Sequence, residues 1–271
     1  MGPWPAGLGA DDWFILASLI VTWAMVAIRW HQILVDHYGF HADELSAATL
    51  IDFQKSFLAC QEVYFLDALL IKSSLLYMYY RIFGISQRFT KILWATWSLV
   101  VTYFITCVIL SIFSCHPVSL LWDRSQPGNC IDEVNFFRSN GIVNMLLDVI
   151  VFCLPLPMVW RLHMGFRQRL VSTGIFLLGG FVCVVSILRI ITFDHMNPTD
   201  FTYTNVHTGI WSLVEQSTAI LCACLPTLKP LLRRVPPTIG RLVPFINTSV
   251  KLGCLDTQNQ SRRDGGAGGF S

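Results

Sequence analysis

Residues 63–83 read VYFLDALLIKSSLLYMYYRIF, and this stretch decides the fold. A hydrocarbon core about 30 Å thick is crossed by roughly 20 helical residues. The stretch has that length, yet it holds Asp67 and Lys72 in its interior. Five further apolar stretches of similar length lie outward from it, at 13–30, 92–114, 139–160, 170–193 and 206–228. Backbone polar groups in lipid must be satisfied within their own segment, so each stretch is predicted to be a helix. Composition agrees: the 271 residues are 54% hydrophobic and 13% charged, with a mean hydropathy of +0.55. A soluble domain is nearer a quarter charged. The predicted fold is an all-α, polytopic transmembrane bundle of six spans. A membrane β-barrel would show short alternating segments instead.

The loops differ in charge. Most of the 19 basic residues fall in one set, including Arg88, Lys91, Arg161, Arg167, Arg169, Lys229, Arg233, Arg234 and Arg241. The other set holds Arg29, Lys55, Arg124, Arg138 and Arg189. The positive-inside rule then places both termini in the cytosol. Arg29, at the outer end of the first span, runs against that rule. The first twelve residues contain no Lys or Arg, so no cleavable signal peptide is expected. The predicted organisation is a short N-terminal segment at 1–11, a bundle at 12–230, and a basic, then disordered, cytosolic tail at 231–271.

Between the first two spans, Leu45, Ala48, Leu50, Ile51 and Phe53 suggest an amphipathic surface piece or an outer extension of the second helix. Leu154-Pro155-Leu156-Pro157 is expected to kink or end the fourth helix, and Pro226 and Pro230 the sixth. Asn197-Pro198 predicts a turn. Gly179-Gly180 permits close helix packing in the fifth span. Cys107, Cys153, Cys183, Cys222 and Cys224 fall within spans and are expected to be inert, buried small residues, and Cys254, in the cytosolic tail, is expected to be reduced. Cys115 and Cys130 share an outer loop rich in turn residues and are predicted to form a disulfide, with Cys60 as the competing partner.

Charges inside spans are costly and therefore informative. Lys72, Asp148 and Glu215 sit at about the same depth on three helices, at 1.5 Å per residue. Asp67 and Asn144 lie about a turn further out, and Arg189 further still. The predicted polar cluster is thus Asp67, Lys72, Asn144, Asp148, Arg189 and Glu215. Asp67 is five residues from Lys72, which is not a helix-face spacing. Lys72 therefore pairs with Asp148 or Glu215. Three readings stand: an ion pair that fixes helix register, a ligand cavity, or an ion or proton pathway.

Other chemistries find no support in the sequence. No Walker-type phosphate loop, CxxC pair or His-x-x-x-His spacing suggests a nucleotide or metal site, and no cofactor is expected. His31, His37 and His41 read as exposed polar residues, although His37 and His41 could share a helical face. The sequons at Asn247 and Asn259 lie in the tail and are expected to be unmodified. The basic tail suits lipid headgroups rather than nucleic acid.

Several motifs, taken together, resemble the fungal integral membrane proteins with a rhodopsin-like seven-helix domain. That family includes satratoxin-cluster membrane proteins and receptor-like proteins of plant-pathogenic fungi. The motifs are Asp11-Asp12-Trp13; Lys72-Ser73-Ser74-Leu75-Leu76 with Tyr80-Arg81-Ile82-Phe83; and Cys115-His116-Pro117…Trp122…Cys130. Asp148…Leu154-Pro155-Leu156-Pro157, Ser186-Ile187-Leu188-Arg189, and Glu215 with Cys222-Ala223-Cys224-Leu225-Pro226-Thr227-Leu228-Lys229-Pro230 complete the set. The family normally has another span before the Asp-Asp-Trp element. This chain is therefore expected to be a six-span member, or one whose gene model lacks the first helix. A retinal Schiff base needs a lysine deep in the last helix, and 206–228 contains none, so no retinal is expected. The resemblance implies a fungal, multi-pass protein in the plasma or an internal membrane, possible secondary-metabolite (mycotoxin, trichothecene-like) cluster membership, and a sensing or accessory role toward a lipophilic small molecule. The alternatives are a terpenoid cyclase or isomerase using Glu215, Asp148 or Asp67 as the acid, or a small transporter.

Overall fold

Helix α1, Ala10–Leu34, shows how this sequence meets its surroundings. Its buried residues are Asp11, Ser18, Met25 and Gln32, one every two turns, while Trp13, Ile20 and Trp23 are 62%, 71% and 71% exposed. Polar groups inside and large apolar groups outside invert the soluble pattern and fit a lipid-facing helix. In the computed structural model the described residues are 9–84, 86–123, 127–157, 179–192 and 200–234. They are mostly helical.

Helix α2, Ala47–Phe83, runs 37 residues and packs along α1. Ser46 starts it by accepting from Thr49 N–H at 3.2 Å, and Gly84 follows its end. This is the outer extension, so the surface-piece alternative drops out. Helix α3 is Gln87–Ile112. Helix α4, Glu133–Cys153, begins where the Asp132 carboxylate accepts from Val134 and Asn135 N–H. It stops at Leu154-Pro155, so the predicted 139–160 shifts toward the N-terminus: the cap starts it early and the prolines end it early. Residues 158–160 lie outside the described residues. Helix α5 is described over Gly179–Thr192, so most of the predicted 170–193, and the turn at Asn197-Pro198, lie outside them. The short α6, Phe201–Thr204, leads into α7, Val206–Arg234. Of the two effects expected of Pro226 and Pro230, a kink or an end, they do not end α7. Neighbouring helices in a bundle can re-satisfy the backbone groups a proline frees.

By length and composition, α1, α3 and α4 are able to cross a membrane. The interior charges of α2 and α7 dilute the same signal there. An apolar core of Leu76, Tyr79, Phe89, Leu93, Val100, Leu147 and Val151 joins α2, α3 and α4 at one end. At Gly179, a Cβ would run into the Phe152 ring, whereas Gly180 meets nothing within 4 Å. Only the first of the two glycines serves close packing. At the other end, strands β1, Cys115–His116, and β2, Asn129–Cys130, pair antiparallel with Cys115 opposite Cys130. Those two cysteines form the disulfide, and Cys60 is free and buried; of the cysteines expected to be buried within spans, Cys107 and Cys222 are, whereas Cys183 and Cys224 are half-buried and Cys153, at the end of α4, is exposed.

Candidate functional site

The charged interior is built from four helices. Lys72 on α2 pairs with Asp148 on α4 at 2.8 Å and donates to Asn144 Oδ1 at 3.0 Å. Arg189 on α5 pairs with Glu215 on α7 at 3.1 Å. Asn144 ties the two pairs together: its Nδ2 donates to Asp148 at 3.3 Å and to Glu215 at 3.1 Å. Tyr64, about two turns above Lys72 on α2, donates to Glu215 at 3.1 Å, takes a bond from Asn144, and receives Arg189 Nη1. Ser186 adds a bond to Glu215 at 2.7 Å. Two cations and two carboxylates thus balance in a largely hydrogen-bonded interior, which makes burial of the charges tolerable, although Arg189 Nε and Nη2 find no acceptor among the described residues.

Asp67 is not part of this network. It accepts from Ser18 at 2.6 Å and Thr22 at 2.8 Å, both on α1. Five residues rotate a helix by about 140°, so Asp67 and Lys72 face different neighbours. Arg189, counted among the outer-loop charges, is buried at 4% exposure because its long side chain reaches a turn inward to Glu215. Sequence reasoning missed Tyr64 and Ser186. The signal for both was spacing: Tyr64 lies eight residues before Lys72 and Ser186 three before Arg189, each on the same helix face.

Above the network, toward the disulfide, lies a cleft lined by Gln54, Phe57 and Gln61 of α2, Ser111 of α3, Phe137 of α4, and Trp122. The faces are continuous. On α2 the stripe runs Gln54, Phe57, Gln61, Tyr64, Ala68, Lys72; on α4 it runs Glu133, Phe137, Asn140, Asn144, Asp148. Between the two levels, Tyr103 and Cys107 of α3 bond Asn140. Aromatic rings of Phe57, Phe137 and Phe201 wall the cleft, with centroids 4.9 and 5.9 Å apart.

Two contacts fix the two ends of the bundle. Asp11 of α1 is buried and pairs with Arg81 of α2 at 3.1 Å, which gives the Asp11-Asp12 and Tyr80-Arg81 motifs one structural meaning. At the disulfide end, His41 Nδ1 meets Asp200 at 2.5 Å, and Ala42 N–H donates to the same carboxylate at 3.0 Å. The bond to Asp200 raises the His41 pKa. Burial pushes the Asp200 carboxyl up, but the Ala42 N–H and His41 outweigh it and hold the group below its usual value. His37 has a left-handed backbone, φ 54°, beyond the end of α1, so His37 and His41 share no helical face.

A bundle with an apolar exterior and balanced charges at its centre defines a polytopic helical membrane protein. The chain belongs to the fungal rhodopsin domain family, whose model matches residues 4–234. Its relatives include the polyenoic acids biosynthesis gene cluster protein Ba17b of Metarhizium anisopliae, 28% identical over 86% of this chain and 68% of that protein. Satratoxin biosynthesis SC1 cluster protein 4 of Stachybotrys chartarum is 28% identical over 64% of this chain and 63% of its own length. Receptor GIN3 of Arthrobotrys oligospora is 24% identical over 88% and 58%. No solved structure matches.

Proposed function

We propose that this protein is a membrane sensor of a small lipophilic molecule, bound in the aromatic cleft and read out by the charge network beneath it. One observation carries the reading: the helix faces that line the cleft are the faces that carry Tyr64, Asn144, Lys72 and Asp148. A ligand that spreads α2 from α4 must alter the Lys72–Asp148 and Asn144 contacts. Such a two-arrangement element is what a switch requires. The cleft end, with its disulfide, faces the oxidising side, and the Asp11–Arg81 end faces the cytosol, in line with the loop charges.

Relatives named for polyenoic acid and satratoxin clusters support a place in secondary metabolism for this chain too. The third relative is named a receptor, which supports sensing over catalysis. Acid catalysis finds less support in the geometry, because the Asp148 and Glu215 carboxylates are held by Lys72 and Arg189.

Parinaric acid, a fluorescent polyene acid, tests the reading with the full chain in lipid nanodiscs. A saturable component of tryptophan energy transfer that is diminished in Trp122→Phe and weakened in Phe137→Ala supports it. Non-saturating transfer, equal in wild type and both variants, reports partition into lipid alone and defeats it.

A further inference from the structure

Arg29, the residue that breaks the loop-charge pattern, lies five residues before the end of α1, about 8 Å in from it at the helical rise. Its guanidinium is only partly committed. Nη1 donates to Gln32 Oε1 at 2.9 Å, and Cζ stands 5.5 Å from the Tyr38 ring centroid. Among the described residues it has no ion-pair partner, and its buried Nε–H has no acceptor. Asp36 is reached only indirectly, through Gln32 and Ser56.

Two more donors are stranded at the junction of α6 and α7, whose Asn205 carbonyl and Gly209 border the Tyr38 hydroxyl and the guanidinium. Thr202 and Asn205 are each 2% exposed, and Thr202 Oγ1 and Asn205 Nδ2 have no hydrogen-bond partner among the described residues. Tyr38 brings these elements together by donating to the Asn205 carbonyl at 2.7 Å. Burial pushes the Tyr38 hydroxyl up to about 12, so it stays protonated. Gly209 follows one turn later, its N–H bonded to the same carbonyl at 3.0 Å. A Cβ at Gly209 would lie 2.8 Å from the Tyr38 hydroxyl and 3.3 Å from Arg29 Cζ. The glycine thus leaves room for the guanidinium to lie against α7.

The stranded groups are a guanidinium N–H, an amide N–H and a hydroxyl. All can donate, and one carries charge. Buried donors without acceptors are rare in native structures and mark a missing partner. We propose that Arg29, Thr202 and Asn205 form a binding site for an oxyanion head, a phosphate or a carboxylate, at the disulfide end of the bundle. The guanidinium supplies the charge-assisted bond and the other two orient the anion's remaining oxygens. None of the three lines the aromatic cleft, so this site is distinct from the one above. Its depth is that of lipid headgroups, so a phospholipid phosphate and a free anion share the chemistry.

The test uses the full chain and two variants, Arg29→Gln and Asn205→Asp. The aspartate puts a carboxylate at position 205 to occupy the proposed site from within, and its unfolding midpoint without added anion checks that the variant folds. In the free-anion arm, inorganic phosphate is titrated against thermal unfolding in neutral-lipid nanodiscs. In the lipid arm, native mass spectrometry of detergent-purified protein follows retention of added phosphatidic acid. We expect saturable stabilisation or one-to-one retention in wild type, at least tenfold weaker in both variants. A response in the lipid arm alone assigns a headgroup; a response in the phosphate arm alone assigns a free anion. No response in wild type, or equal responses in wild type and Asn205→Asp, overturns the site even where Arg29→Gln does not fold.

Discussion

Replacing Lys72 with methionine strands the Asp148 carboxylate inside the bundle. The lysine stands 2.8 Å from Asp148, and the two side chains are 6% and 17% exposed. Removing one member of a buried pair costs about 3–5 kcal/mol. Asp148 keeps the 3.3 Å bond from Asn144 and is not fully sealed. The expected cost is therefore at the low end, about 3 kcal/mol. Removing both charges, as Lys72→Met with Asp148→Leu, leaves no stranded ion. That double variant should fall within about 2 kcal/mol of wild type: buried pairs often exchange for apolar groups at little cost, but buried Asn144 Oδ1 loses its Lys72 donor. The coupling energy of the cycle is then roughly 2 kcal/mol or more, far above the few tenths seen for independent sites. Reversible unfolding in mixed lipid–detergent micelles measures all four proteins. A Lys72→Met variant within about 0.5 kcal/mol of wild type, or a double variant that merely sums the singles, would refute the pairing.

The remaining predictions are more local. Cys115→Ser with Cys130→Ser opens a loop with a sequence separation of 15; in the chain-entropy model this loses roughly 3 kcal/mol, which calorimetry under oxidising and reducing buffers reads directly. The His41–Asp200 contact should stabilise only within a pH window. The raised His41 pKa makes its contribution full below about 6.5 and lost as pH rises through the folded value. The lowered Asp200 pKa makes its share full above about 3.8 and lost as pH falls through the folded value. A pH series of unfolding midpoints for wild type and His41→Ala should therefore differ most near pH 5 and converge above neutrality; a constant gap contradicts the contact. Gly179→Leu should destabilise by about 1–3 kcal/mol through overpacking against Phe152, and Gly180→Leu by much less; equal losses at the two sites rule out the close approach.

Hydropathy made the bundle legible, because lipid forces long apolar helices and charged interruptions stand out against them. Helix ends were less legible. Asp132 as a cap and Leu154-Pro155 as a stop moved α4, and Pro226 failed to stop α7, since a proline's effect depends on what surrounds the backbone it frees. Depth counting brought Lys72, Asp148 and Glu215 to one level, but depth says nothing about rotation. That is why Asp67 was grouped with Lys72 when it faces Ser18 and Thr22. Arg189 was placed by its backbone, yet its guanidinium acts a turn away at Glu215. Tyr64 carried no charge to draw notice, and only its place on the stripe from Gln61 to Lys72 pointed inward.

The most direct test is the affinity for parinaric acid measured in Lys72→Met/Asp148→Leu, the double variant expected to keep its fold. The altered residues lie outside the cleft lining. If cleft and network are coupled, the dissociation constant should shift at least fivefold, the lower range for coupling between linked sites. An unchanged constant in this stable double variant would contradict the coupling and leave the charges with a purely structural role.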